Sequence, residues 1–291
     1  MTRLTTDDIE TLSDQLIDFD ERLKRQTGRD MLGIACHGAN ISRKNIQDKM
    51  DNLTMAVVTI TAGLGKITGF AQTIKDILSH LGFTAFIPPQ TDAAGLALAI
   101  ENKADIIFMA DDNRYFAINL KNGLLVDNIQ ATGNVFAAAL DLMAKGVKGK
   151  SVLVIGAGPV GMASAQTLVE FGACVSVHDK DRVKCQKSCD AMNKSLTKKI
   201  EPVHDFEPDD YKSDDLESIR NTFNFFIEAT NAKDVITSVM VNPETFIAAP
   251  GVPLGVTQNA MKKAGNQILY DPLQLGTAAM AVRAAFPLKR D

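Results

Sequence analysis

The sequence has 291 residues, of which 45% are hydrophobic and 23% are charged, and this composition is typical of a globular protein with room for two domains. The net charge of −4 is spread along the chain and argues against a nucleic-acid partner. No apolar stretch is long enough to cross a bilayer, and residues 1–20 are acidic and polar without the apolar core of a signal peptide. We therefore expect a cytoplasmic protein without a membrane partner.

In chain order, the first half predicts strands that alternate with helices. A helix is predicted to start at Thr6, with apolar residues on one face at Ile9, Leu12, Leu16 and Ile17. The next elements are a strand at Met55–Ile60, the glycine-rich turn Thr61–Gly65 (TAGLG), a helix from about Thr68 to Leu81, a strand at Thr84–Ile87, a helix near Ala93–Glu101 and a strand at Asp105–Ala110. This alternation predicts a parallel α/β layer.

The second half continues the alternation. Its predicted elements are a helix at Thr132–Lys145, a strand at Ser151–Ile155, a helix at Val160–Phe171, a strand at Cys174–Val177, a cysteine-bearing helix, a solvated connection and helix over Asp205–Arg220, strands at Asn224–Ala229, Thr245–Ala249 and Gln267–Tyr270, and a final helix at Gly276–Phe286. We predict an α/β protein with a Rossmann-type doubly wound parallel sheet over residues 147–291, preceded by an N-terminal α/β substrate domain over residues 1–146.

The cysteines do not indicate a metal site. The chain contains Cys36, Cys174, Cys185 and Cys189. Cys185 and Cys189 with His178 and His204 lack the short, regular spacing of two ligand pairs that zinc sites usually show. We therefore predict reduced thiols and no metal.

A glycine fingerprint follows the strand Ser151–Ile155. Gly156, Gly158 and Gly161 have the G-x-G-x-x-G spacing, with Pro159 and Val160 between the last two. These glycines allow a tight turn, a close approach of a pyrophosphate and close packing of the helix on the strand, and the helix N-terminus faces the phosphates. The sequence predicts a dinucleotide site, the alternative being a glycine turn without a cofactor.

An acid ends the next predicted strand. Asp179 stands 18 residues beyond Gly161, where a carboxylate can accept hydrogen bonds from the adenosine ribose. It would repel a 2′-phosphate, so NAD is favoured over NADP, although Lys180 and Arg182 weaken that preference.

Later strand ends face the same crevice in an open parallel sheet. Thr230 and Pro250 follow two of them and are predicted to line the nicotinamide side, ordinary loop positions being the alternative.

The candidate substrate-binding residues of the first half lie in loops that follow its predicted strands. The TAGLG turn is predicted to open a helix whose N–H groups could hold a substrate carboxylate, a plain tight turn being the alternative. Asp111 and Asp112 follow the strand Asp105–Ala110, and an acid there could hold an ammonium group or move a proton, or could be an ordinary surface acid. The same two interpretations, a substrate-binding acid or an ordinary surface acid, apply to Asp271 after the last predicted strand.

Three segments, Met109–Gly123 (MADDNRYFAINLKNG), Val152–Gly161 (VLVIGAGPVG) and Asp271–Met280 (DPLQLGTAAM), resemble the pyrrolysine synthase (PylD) family of pyrrolysine biosynthesis. The start of the chain, TRLTTDDIE, is similar as well, and MADDN followed by NLKNG is the most specific part. The resemblance implies NAD-dependent oxidation of the terminal amine of L-lysine-Nε-3-methyl-D-ornithine, ammonia release, and cyclisation with water loss to L-pyrrolysine.

The resemblance also implies roles for residues. Asp111 matches an acid that contacts the reacting amine, and Leu4 matches a residue on a mobile N-terminal helix that closes over substrate. Ala62 falls where the family can carry a substrate-binding serine, so Thr61 beside it could supply the hydroxyl. Asp271 falls where the family can carry a glutamate, and its shorter side chain puts that contact in doubt. This chain is longer than some members of the family, and the additional residues lie in the segments Arg29–Asn52 and Asp181–Arg220.

Two other functions stay open at this stage. One is a different NAD-dependent amine or amino-acid dehydrogenase or cyclodeaminase, and the other is a non-catalytic NAD-sensing protein. The expected partner is a small, amino-acid-derived substrate, and the oligomeric state is left open, a homodimer included.

Overall fold

Two sheets with flanking helices organise the chain. The computed structural model describes residues 4–203 and 219–286. Up to the glycine fingerprint, the elements are α1 (Leu16–Thr27), α2 (Met31–Gly38), α3 (Arg43–Met50), β1 (Thr54–Thr59), α4 (Phe70–His80), β2 (Thr84–Phe86), α5 (Asp92–Glu101), β3 (Ile106–Ala110), β4 (Tyr115–Asn119), β5 (Leu125–Asp127), α6 (Asn128–Met143) and β6 (Ser151–Ile155). They continue with α7 (Pro159–Glu170), β7 (Cys174–His178), α8 (Arg182–Asn193), β8 (Glu201–Pro202), β9 (Phe225–Glu228), β10 (Phe246–Ala249), α9 (Gln258–Ala264), β11 (Ile268–Tyr270) and α10 (Gln274–Ala285).

The described residues divide into two compact units. One lies within Met1–Arg25, Arg29–Ala131 and Pro272–Asp291, and the other within Gln26–Gly28 and Thr132–Asp271. This division differs from the predicted domains 1–146 and 147–291, because the last helix, α10, packs against α2, α4 and β4 of the first unit. The position of α10 directly after β11 in the sequence therefore did not decide which unit it packs against.

The sheet of the first unit is mixed. Its strand order is β2-β1-β3-β4-β5, in which β1 is parallel to β2 and β3, whereas β4 and β5 are antiparallel to their neighbours. The three predicted strands, β1 to β3, are parallel as expected, and the strands β4 and β5, which were not predicted, make the sheet mixed. Only residues 111–114 connect β3 to β4. So short a connection can form a hairpin but cannot form the long crossover that parallel strands need.

The N-terminal segment forms turns before its helix begins. Ile9 N–H donates to Thr6 O and Leu12 N–H to Ile9 O, both over three residues, and α1 starts only at Leu16. The predicted helix start at Thr6 was therefore wrong. Ile9, Leu12 and Leu16 are buried as their spacing predicts, but Ile17 is 72% exposed.

The sheet of the second unit confirms the predicted doubly wound fold. Its six strands are all parallel in the order β11-β10-β9-β6-β7-β8. The chain runs outward from β6 in one direction through β7, and β9 returns to the other side of β6. The switch point therefore lies between β6 and β9, where ligands of such sheets bind beyond the strand ends.

Several features were not predicted. The segment Arg29–Asn52 forms α2 and α3, which are capped by side-chain oxygens of Asp30 and Ser42. The strands β4, β5 and β8 and the helix α9 were also missed. Most of the predicted connection at Asp205–Arg220 lies outside the described residues. Across the described ranges, we find no helix with the length and hydropathy to span a membrane.

Asn119 fastens α10 to the sheet of the first unit, and its removal should destabilise the protein. Its buried amide donates to Ala284 O at 2.9 Å, one of the last carbonyl groups of the helix, which have no partner within the helix itself. We expect Asn119→Ala to lower the free energy of unfolding by about 1–3 kcal/mol, as for a buried polar group that loses its partner.

Urea denaturation measures this difference. Asn122→Ala is the matched control, because the Asn122 side chain accepts the N–H of Leu124 in an exposed turn. Equal losses for the two variants would contradict the special role of Asn119.

Candidate functional site

The first and third fingerprint glycines are required by close backbone packing. Gly156 has φ +107°, and a Cβ atom there would lie 2.6 Å from the carbonyl oxygen of Ala229. At Gly161 a Cβ atom would collide with the carbonyl oxygen of Gly156. These positions therefore bring α7 and the loop after β9 against the end of β6, as the fingerprint predicts.

The middle glycine leaves space for a ligand. Gly158 is the N-cap of α7, no heavy atom lies within 4 Å of the Cβ position that would be built on it, and Pro159 occupies the first turn. In the described part of the chain, no side chain caps this end of the helix. The first-turn N–H groups, among them that of Val160, can therefore donate hydrogen bonds to an anionic ligand. The loop fits the pyrophosphate of a dinucleotide.

Asp179 lies directly after β7, beside this loop. One carboxylate oxygen accepts the N–H of Ala157 at 2.8 Å and the ammonium of Lys184 at 3.2 Å, and the other accepts the N–H of Asp181 at 3.0 Å. Burial alone would raise the pKa of Asp179, but the two N–H groups and Lys184 outweigh burial and lower it. The acid is ionised and fits a ribose, but Lys184 offsets part of the charge that would repel a 2′-phosphate.

The predicted residues Thr230 and Pro250 lie in the loops after β9 and β10. The sequence analysis did not predict Glu228, a buried acid that contacts both of these loops. Glu228 is fully buried at the end of β9, where it accepts the N–H and the hydroxyl of Thr230 at 2.9 and 2.5 Å. It also accepts the N–H of Gly255 at 3.1 Å. Burial raises the pKa of Glu228, and these hydrogen bonds offset the rise only in part. A lone acid in the apolar run FFIEA was the available signal.

In the first unit, Asp111 begins the exposed turn between β3 and β4. Its Oδ1 accepts the N–H groups of Arg114 at 2.7 Å and Asn113 at 2.8 Å. These two bonds, with the charge of Arg114, hold the pKa of Asp111 below its usual range. The side chain is therefore a fixed, ionised carboxylate at a strand's end.

The neighbouring acid joins this turn to the TAGLG loop. Asp112 accepts the N–H of Leu64 at 2.6 Å, and a Cβ atom at Gly63, where φ is +74°, would collide with its carboxylate. The prediction that TAGLG opens a helix was wrong, because α4 begins at Phe70, five residues after Gly65. At least one of the N–H groups that were predicted to hold a substrate carboxylate, that of Leu64, therefore already donates to Asp112.

The other predicted substrate residues have different surroundings. Thr61 donates its N–H and its hydroxyl to Asp92, at 2.8 and 2.6 Å, while Ala62 beside it is exposed. Leu4 is half-buried, and Asp271, in the second unit, is 3% exposed directly after β11. The first unit thus brings together the turn of Asp111 and Asp112 with the TAGLG loop, through Asp112. The second unit brings together the fingerprint and the loop of Thr230.

Comparisons with known proteins agree with this geometry. Residues 8–126 match the family model "Pyrrolysine biosynthesis protein PylD, N-terminal domain", and residues 131–249 match "Alanine dehydrogenase/PNT, C-terminal domain". The chain is 29% identical over 282 residues to pyrrolysine synthase of Methanosarcina acetivorans, which covers 96% of this chain and 98% of that protein. The identity to pyrrolysine synthase of Methanosarcina barkeri is also 29%, over 96% of this chain and 97% of that protein.

Solved structures share the fold. Quinate dehydrogenase from Corynebacterium glutamicum, in complex with NAD, has a TM-score of 0.53 and 14% identity, covering 82% of this chain and 95% of its own. Shikimate dehydrogenase from Aquifex aeolicus has a TM-score of 0.53 and 15% identity, covering 82% of this chain and 94% of its own. The similarity to the two pyrrolysine synthases and the match of residues 8–126 to the PylD N-terminal domain model confirm the family resemblance found in the sequence. Together with the dehydrogenase-type domain matched at residues 131–249, this similarity identifies the chain as an oxidoreductase.

Proposed function

We propose that this protein uses NAD to oxidise the terminal amine of L-lysine-Nε-3-methyl-D-ornithine to an imine. Water then converts the imine to an aldehyde with release of ammonia. The second ornithine amine attacks the aldehyde and loses water, which closes the pyrroline ring of L-pyrrolysine. The observation that carries the proposal is the similarity to pyrrolysine synthase along 96% of the chain.

In this proposal the second unit binds the dinucleotide. The N–H groups at the start of α7 hold the pyrophosphate, and Asp179 accepts the ribose hydroxyl groups. A bound nicotinamide supplies the two-electron acceptor for the oxidation. Thr230 and Pro250 line the nicotinamide end of the crevice.

Asp111 acts on the charge of the substrate. An amine can be oxidised only when it is neutral, because an ammonium group lacks the lone pair that drives the reaction. The lowered pKa makes Asp111 a weak proton acceptor and a constant anion. It therefore orients the amine and stabilises the positive charge that develops on the substrate, and water takes the proton.

Ring closure needs mainly positioning. A well-oriented tethered amine can reach an effective molarity of roughly 10⁵ M or more, so the chain must hold the folded substrate rather than activate it. Leu4, Thr61, Ala62 and Asp271 are the residues proposed to contact that substrate.

The decisive experiment incubates purified protein with NAD and L-lysine-Nε-3-methyl-D-ornithine and follows NADH absorbance and product mass. NADH together with a product of pyrrolysine's mass supports the proposal. NADH formation only from another amine indicates a different amine dehydrogenase. Dinucleotide binding without NADH formation from any amine indicates an NAD-sensing protein.

The role of Asp111 predicts that Asp111→Asn abolishes most turnover and retains NAD binding. The asparagine carbonyl oxygen can still accept the N–H groups of Asn113 and Arg114, so the turn is kept while the charge is lost. We expect turnover to fall about 100-fold or more, the usual scale for losing an electrostatic contact to a reacting group. Asp48→Asn, an exposed acid of α3, is the control for charge alone. Near-normal NADH formation by Asp111→Asn would rule out its assigned role.

The pair Asp179–Lys184 predicts opposite shifts in cofactor choice. Asp179→Asn should lower the ratio of kcat/KM with NAD to that with NADP about fivefold, since one charge near a phosphate is worth about 1 kcal/mol in a solvated site. Lys184→Gln should raise this ratio, because it removes the ammonium group that offsets the negative charge of Asp179. Steady-state kinetics with both cofactors measure the two shifts. Shifts in the same direction for both variants would refute this account.

A further inference from the structure

Glu228 is an ionisable side chain at a position where parallel sheets usually carry apolar residues. It ends β9, lies opposite Ile155 of β6 in the sheet register, and is fully buried. Burying a carboxyl group costs free energy unless hydrogen bonds compensate for the lost water. Its position at the switch point of the sheet calls for a specific role.

Its hydrogen bonds tie together two loops. One oxygen accepts both the N–H and the hydroxyl of Thr230 in the loop after β9, and the other accepts the N–H of Gly255 in the loop after β10. All three donors are neutral groups. One carboxyl group therefore sets the spacing of two loops that are separate in sequence.

The loop after β10 packs closely against this carboxyl group. A Cβ atom at Gly251 would lie 2.5 Å from Glu228 Oε2, and one at Gly255 would lie 2.6 Å from Glu228 Cδ. Gly251 N–H also donates to the Glu228 carbonyl oxygen at 3.0 Å. The backbone between Pro250 and Gly255 thus takes its shape from contact with the acid.

The loop after β9 in turn touches the dinucleotide fingerprint. A Cβ atom at Gly156 would lie 3.2 Å from Thr230 Cγ2 and 2.6 Å from the carbonyl oxygen of Ala229. The loop that Glu228 holds therefore packs against Gly156, the first glycine of the fingerprint.

We propose that Glu228 is a positioning residue that holds the loops of Thr230 and Pro250 in the shape that receives the nicotinamide end of the cofactor. This inference rests on the proposed function, in which the second unit binds a nicotinamide dinucleotide. Burial raises the pKa of Glu228, and the hydrogen bonds from Thr230 and Gly255 oppose that rise, so the carboxyl group is kept in this place despite the cost of burying it.

The test compares NAD with ADP-ribose, which lacks nicotinamide, by titration calorimetry on the full chain. In Glu228→Gln the new amide N–H₂ faces the N–H of Gly255, so two donors meet and the loop shifts. We expect the Kd for NAD to rise about tenfold, the equivalent of one lost buried hydrogen bond, and that for ADP-ribose to change less than about twofold. Glu201→Gln makes the same change at an exposed position on the sheet edge and should leave both affinities unchanged.

A second variant removes one of the three donors that hold Glu228 and leaves Glu228 itself in place. Thr230→Val keeps the side-chain shape and removes the hydroxyl that donates to Glu228, and it should weaken NAD selectively as well. An equal loss for both ligands, or no loss for either, in the variants that fold would overturn the positioning role. Failure of the wild-type protein to bind NAD, NADP or ADP-ribose would instead overturn the proposed function and the inference with it.

Discussion

The contact on which the dinucleotide crevice depends is between two backbones, at the point where β6 and β9 end. Gly156 turns with a left-handed φ, and its Cα approaches the Ala229 carbonyl so closely that no side chain fits. Because the two loops touch there, the ends of β6 and β9 are held in direct contact. The hydrogen bonds of Glu228 to Thr230 act at this place.

Three acids at strand ends show how surroundings set the chemistry of one functional group. Asp111 is exposed and bonded to the N–H groups of its own turn, so its pKa falls and it stays an anion. Asp179 is partly buried, but the N–H groups of Asp181 and Ala157 and the ammonium of Lys184 outweigh burial, and its pKa also falls. Glu228 is buried among neutral donors, and its pKa rises. Fixed charge suits the first two for binding cations or hydroxyl groups, and the third suits a structural role.

In the first unit, acids likewise shape the loops beyond the strands. Asp112 holds the TAGLG loop through Leu64, and Asp92 holds Thr61 at its start. The loop conformation is therefore fixed by carboxylates and does not depend on a helix that begins inside it. Substitutions in this loop act through those acids as well as through any direct contact with substrate.

The sequence by itself determined the strands β1, β2, β3, β6, β7, β9, β10 and β11 and the fingerprint, because apolar runs and glycine spacing are local signals. It also located Asp111 and Asp179, since each directly follows an apolar strand. Only the tertiary structure decided that α10 packs on the first unit, that β4 and β5 run antiparallel, and that Ile17 faces solvent. The role of Glu228 was also beyond the sequence, because Gly255, its partner in the other loop, is 27 residues away. Contacts between distant segments leave no periodic signal, so packing alone settles them.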